Sequence, residues 1–219
     1  MNVQEATTRR LPDLKERHLP ENCRETINTI LKETYGYEQF RNLEIYDDLS
    51  KGKEKLCISQ GQLIENVILE AEKAWKSETQ VDNILLTAPT GSGKSLLFQL
   101  PAIYLGKEYN LLTIVVSPLK ALIVDQVESL QELGYTRVAY ASSDLSPEQK
   151  MEVYRQVREG EIDLFYLSPE LLLSYDIKHF VGERRIGLVV VDEAHTVTTW
   201  GKEFRVDYWF LGRYLTALK

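Results

Sequence analysis

The sequence predicts an α/β domain built on a mainly parallel sheet with helices on both faces, preceded by a helical N-terminal extension. Three observations predict it. Apolar, β-branched runs alternate with amphipathic segments from about residue 84 onward. A loop of small residues, Ala88-Pro89-Thr90-Gly91-Ser92-Gly93, lies between an apolar run and a helical pattern that Lys94-Ser95 opens. The most apolar run, Ile186–Val191, ends in two adjacent carboxylates, Asp192-Glu193. In parallel sheets ligands gather beyond the C-terminal ends of the strands, where both chemical segments fall.

A length of 219 residues fits one large domain, or one domain with an appendage. At 43% hydrophobic and 27% charged, the chain can bury a sizeable core. The net charge of −7 argues against a generally basic nucleic-acid coat but leaves room for a local groove. Cys23 and Cys57 lack metal-ligand spacing and point to a reduced, cytoplasmic protein without a disulfide framework. No apolar run reaches membrane-spanning length, and no membrane partner is expected.

Residues 1–20 are polar, carry Pro12 and Pro20, and read as a loose arm or a partner-binding extension. Residues 21–34 read as a helix with Ile27, Ile30 and Leu31 on one face. An aromatic loop, Tyr35–Arg41, follows, then a mixed, charged stretch with a turn at Lys51-Gly52-Lys53. Residues 61–76 are helical in pattern, and Ile84–Leu86 reads as a short buried strand. Strands are expected over Leu112–Ser117, Thr136–Ala141, Asp163–Leu167 and Ile186–Val191. Helices are expected over Pro118–Leu133, from Ser146-Pro147 to about Glu159, from Ser168-Pro169, and over Tyr208–Leu218.

Strand, glycine loop, Lys-Ser and helix together make a phosphate cradle. Thr90, Gly91, Ser92 and Gly93 supply its backbone, and the two glycines let the chain turn tightly against a polyphosphate. The N-terminus of the following helix favours the same anion. Lys94 is suited to the β/γ-phosphates of ATP, and the Ser95 hydroxyl to Mg²⁺. Ala88 stands where the G-x-x-x-x-G-K-S/T pattern has its first glycine. Asp192 is suited to hold Mg²⁺ directly or through water, and Glu193 to polarise the attacking water. His195 fits either a coupling role or a structural hydrogen bond.

The segment from Asp192 to Tyr208 resembles motif II and the aromatic-rich loop of the RecQ family of superfamily-two DNA helicases, D-E-A-H-C-(I/V)-S-(Q/E)-W-G-H-(D/E)-F-R-P-(D/E)-Y. Trp200, Gly201, Phe204, Arg205 and Tyr208 are kept, while Thr196, Thr199, Lys202 and Val206 depart from the pattern. Ala88–Pro101 resembles the family's motif I, Val115–Gln126 its motif Ia, and Tyr166–Glu170 its motif Ib. Tyr35-Gly36-Tyr37-Glu38-Gln39-Phe40-Arg41 resembles the adenine-binding motif 0, with Glu44 where its glutamine belongs.

The resemblance implies a RecA-like P-loop domain over 61–219, the first motor domain of a 3′–5′ DNA helicase driven by Mg-ATP. It implies an extension over 1–60 that carries motif 0 and offers a surface to a protein partner. Tyr37 and Arg41 belong to the adenine side, with Gln62 as the candidate amide reader and Gln60 as its close rival. Both lie beyond an insertion after Arg41. In the family the aromatic-rich loop senses single-stranded DNA, where Trp200 and Phe204 offer stacking faces and Arg205 a phosphate contact. Ser117, Lys120 and Ser168 would hold DNA phosphates, although both Ser-Pro pairs also serve as helix starts. A second RecA-like domain would close over the γ-phosphate, so these residues alone are expected to hydrolyse ATP very slowly. Two other readings remain: a DNA translocase of a restriction or defence system, and a nucleotide-gated interaction module that does not unwind.

Overall fold

The computed structural model describes residues 19–46, 55–76, 83–86 and 91–194. Four parallel strands, β3 (Leu112–Val116), β4 (Val138–Ala141), β5 (Leu164–Leu167) and β6 (Ile186–Val191), form a sheet of order β4-β5-β3-β6. The parallel α/β expectation holds. Strand side chains alternate between two separate apolar layers, which is why the runs are apolar throughout rather than every second residue. Val115, Leu164 and Tyr166 face the layer that also contains Ile27, Leu31, Ile64, Ile68, Leu100 and Ile103. Leu112, Ile114, Val116, Phe165 and Leu167 face the other, with Tyr154, Val157 and Phe180.

The first layer is roofed by α1 (Glu25–Tyr35), α2 (Gln60–Trp75), α3 (Leu96–Tyr109) and α4 (Lys120–Glu132). The second is covered by α5 (Pro147–Arg158), α6 (Pro169–Ser174) and α7 (Ile177–Val181). Helix starts follow local chemistry. Ser146 caps α5 with Pro147 at its first turn, and Ser168 caps α6 by accepting from the Leu171 N–H at 3.3 Å. Helix α1 shares one core with α2 and α3, and an ionic cluster reinforces that seam. Arg24, preceding α1, contacts Glu65 at 2.6 Å and Glu72 at 2.7 Å on α2, and lies 4.8 Å from the Tyr104 ring centre on α3.

Three local readings differ from the structure. Residues 83–86 belong to neither sheet, and Leu85 is 67% exposed. Three apolar residues offer few ladder bonds, and the described part of the segment finds no strand partner. The charged stretch after Arg41 contains an antiparallel hairpin, β1 (Asn42–Tyr46) and β2 (Lys55–Ser59), paired from Asn42–Ser59 to Tyr46–Lys55. Leu43 and Ile45 alternate along β1, and Leu56 and Ile58 along β2, but five residues each among charged neighbours make too short a pattern to stand out. Helix α7 was also unread, being only five residues long. The arm over 1–18, the turn at 51–53 and the helix over 208–218 lie outside the described residues.

Candidate active site

The phosphate loop enters α3 through a tight backbone turn. Gly91 and Gly93 have φ of +79° and +78°, the left-handed region that glycine enters freely. A side chain at Gly93 would also strike Gln60 Nε2 at 2.6 Å. Ser95 stands before the first residue of α3 without a side-chain capping bond. The hydroxyl of Ser92 is buried with no hydrogen-bond partner among the described residues.

Strand β6 delivers the opposing carboxylates. The Asp192 N–H continues the ladder to Val116 O at 2.9 Å, and Asp192 Oδ1 accepts the Glu193 N–H at 2.9 Å. Burial pushes the Asp192 carboxyl above its ordinary value, with the neighbouring Glu193 charge adding to this and Gln126 and Lys94 opposing it. Glu193 has φ of +51°, an unusual conformation for a residue with a side chain. Lys94 Nζ lies 4.0 Å from Glu193 Oε1. The cradle and the motif II carboxylates are thus brought together from residues about a hundred positions apart. Lysine, hydroxyl and carboxylate make a donor set suited to a magnesium-bound polyphosphate.

On the adenine side the structure separates the two glutamines. Gln62 occupies the third position of α2 and completes a capping box. Its Oε1 accepts the Ser59 N–H at 3.0 Å, and its Nε2 donates to Pro20 O at 3.1 Å. Gln60, 2% exposed, bridges motif 0 to the phosphate loop. Its Oε1 accepts the Arg41 N–H at 3.2 Å and its Nε2 donates to Ser92 O at 3.0 Å. A backbone bond from Gln60 N to Arg41 O at 2.9 Å closes the hairpin base. The paired strands β1 and β2 thus return the chain so that Gln60 lies beside Arg41. Tyr37 is half-exposed and stacks on Tyr35, with ring centres 6.3 Å apart.

The proposed DNA-side residues are arranged less uniformly. Ser117 is 1% exposed, and its hydroxyl, just past the end of β3, is buried without a partner among the described residues. Lys120 is exposed at the start of α4 and pairs with Asp144 at 2.9 Å. Ser168 is buried as the cap of α6. Thr90, His195, Trp200, Phe204 and Arg205 lie outside the described residues. One residue of the site carries no expectation from the sequence: Gln126, inside α4, whose Nε2 donates to Asp192 Oδ2 at 3.4 Å.

The sequence profile of the DEAD/DEAH box helicases matches residues 69–216. The chain belongs to the DEAD/DEAH box helicase family. Among curated relatives, this helicase domain is 34% identical over 191 residues to the ATP-dependent DNA helicase RecQ of Synechocystis, covering 86% of this chain and 33% of that protein. It is 32% identical over 180 residues to RecQ of Bacillus subtilis, covering 82% of this chain and 25% of that protein. The helicase domain thus spans a third or less of the length of these relatives. Among solved structures, DUF1998 helicase MrfA bound to DNA aligns over 82% of this chain and 22% of its own, at 21% identity and a TM-score of 0.49.

Proposed function

We propose that these residues form the first motor domain of a RecQ-like helicase, which couples hydrolysis of Mg-ATP to 3′–5′ movement along DNA. The observation that carries this reading is the approach of Lys94 to Glu193, 4.0 Å apart across the phosphate cradle. Lys94 would neutralise the β/γ-phosphates, Ser95 and Asp192 would hold the metal, and Glu193 would accept the proton of the attacking water. Bound Mg²⁺ supplies charge neutralisation at the phosphate oxygens. The RecQ relatives favour this reading over a restriction or defence translocase.

Gln60, rather than Gln62, is the residue we assign to the adenine side. Its amide ties motif 0 to the phosphate loop and so acts by holding both segments in place, whereas the Gln62 amide ties the start of α2 to the chain before α1. Gln60→Ala is expected to weaken ATP binding about tenfold, the range for losing hydrogen bonds in a buried site. Gln62→Ala is expected to lower thermal stability with nucleotide affinity preserved. Fluorescent-nucleotide titration and melting of both variants check this, and the reverse pattern would return the role to Gln62.

Ser117, Lys120, Ser168, Trp200, Phe204 and Arg205 form the proposed DNA side, with base stacking assigned to Trp200 and Phe204. The test is ATP hydrolysis by full-length protein with and without single-stranded DNA. Trp200→Ala is expected to reduce DNA stimulation at least tenfold while basal hydrolysis persists, since a stacked base contributes about 1–3 kcal/mol. Unchanged stimulation would remove the aromatic loop from the coupling.

A further inference from the structure

We propose that Gln126 is the positioning residue of Asp192, and that Gln99 and Tyr166 lock its amide in the required orientation. Resting on the nucleotide-site reading above, this inference adds a residue behind the carboxylate to the metal side of the site.

Five side chains form one polar chain through the first apolar layer. The Tyr35 hydroxyl donates to Gln99 Oε1 at 2.9 Å. Gln99 Nε2 donates to the Tyr166 oxygen at 3.2 Å and to Gln126 Oε1 at 3.4 Å. The Tyr166 hydroxyl donates to Gln126 Oε1 at 3.0 Å, and Gln126 Nε2 donates to Asp192 Oδ2 at 3.4 Å. Gln99, Gln126 and Tyr166 are all buried. Every donor points the same way along the chain, toward the carboxylate, so each bond polarises the next.

The orientation of Gln126 follows from its partners. A glutamine amide has one acceptor end and one donor end. Gln99 and Tyr166 both donate to Gln126, so its acceptor end faces them and its N–H groups face Asp192. A flipped amide would set its carbonyl against a carboxylate and its N–H groups against two donors. Burial pushes the Tyr35 and Tyr166 phenols well above their ordinary value, so both keep their protons. Polar glue between α3, α4 and the sheet would not require the chain to end on Asp192. Outer-shell partners of this kind fix the direction of a metal-side ligand. Gln126 lies on α4, which begins at Lys120, and Tyr166 lies two residues before Ser168.

The experiment titrates this 219-residue chain with a methylanthraniloyl-labelled ATP at a series of Mg²⁺ concentrations and again in EDTA, alongside thermal melting. Gln126→Leu is expected to raise the Mg²⁺ midpoint about tenfold with metal-free nucleotide affinity close to wild type, and to lower melting because Gln99 and Tyr166 lose a buried acceptor. Tyr166→Phe, which removes one oxygen, is expected to raise the midpoint about two- to threefold. A purely structural role would instead weaken metal-free binding and melting together. Wild-type midpoints in both variants overturn the inference, as does a shift that follows the loss of metal-free binding. If Gln126→Leu fails to fold, Tyr166→Phe decides by the same criterion. Wild-type protein that binds no nucleotide in either condition overturns the nucleotide reading, and this inference with it.

Discussion

Asp163→Ala is expected to cost about 3–5 kcal/mol of unfolding free energy, the range for removing one partner of a buried ion pair. Asp163 begins the run into β5 and is 0% exposed. Its Oδ1 accepts from Arg184 Nη2 at 2.9 Å and Arg137 Nη2 at 2.8 Å, and its Oδ2 from Arg137 Nε at 2.6 Å and the Tyr135 hydroxyl at 3.2 Å. The Arg184 side chain is only 4% exposed. Burial already pulls the Arg184 guanidinium below its ordinary value, and Asp163 is the chief group opposing that pull. Alanine would leave a buried guanidinium without its counter-charge. Helix α3 passes directly over this carboxylate, which is why Gly106 sits there: a Cβ would lie 2.3 Å from Asp163 Cγ. Denaturant unfolding checks the cost, with Lys32→Ala as the comparison. The Lys32–Glu38 pair is exposed on both sides and belongs to the class worth about 1 kcal/mol or less. A loss below about 1 kcal/mol for Asp163→Ala would show that the cluster is not a stability determinant.

The second large effect is on chemistry. Lys94→Ala is expected to lower DNA-stimulated ATP hydrolysis by full-length protein about 10²–10³-fold, the cost of deleting one preorganised donor at a reacting oxyanion. Glu193→Gln is expected to lower turnover about 10²–10⁴-fold while ATP still binds, because the amide cannot take a proton from water. The two variants therefore separate. Lys94→Ala loses both nucleotide affinity and turnover, and Glu193→Gln loses turnover alone. Nucleotide binding is read by titration and turnover by phosphate release. A Glu193→Gln variant that hydrolyses ATP at the wild-type rate would remove Glu193 from the role of general base.

Tight local chemistry was legible before any coordinates. Glycine at 91 and 93, Lys94-Ser95 and the Asp192-Glu193 strand end identify themselves, because a phosphate cradle requires particular residues at fixed, short spacing. The parallel sheet was legible too, since strands buried on both faces read as unbroken apolar runs. The choice between Gln60 and Gln62 was not, because two glutamines in the first turn of one helix differ only in which face they occupy. It rests on a hairpin whose strands, five residues each, are too short to stand out in the sequence.

Long-range polar pairing was invisible for a different reason. The pairing of Asp163 with Arg184, or of Gln126 with Asp192, shows in neither segment when each is read singly. Their meaning comes from desolvation, which exists only after the sheet and helices have closed around them. In this chain the motifs, with the residue types they demand, mark the proposed nucleotide site. The packed interior adds which carboxylate is held, by what, and in which orientation, because hydrogen bonds between distant segments are chosen by the space they share.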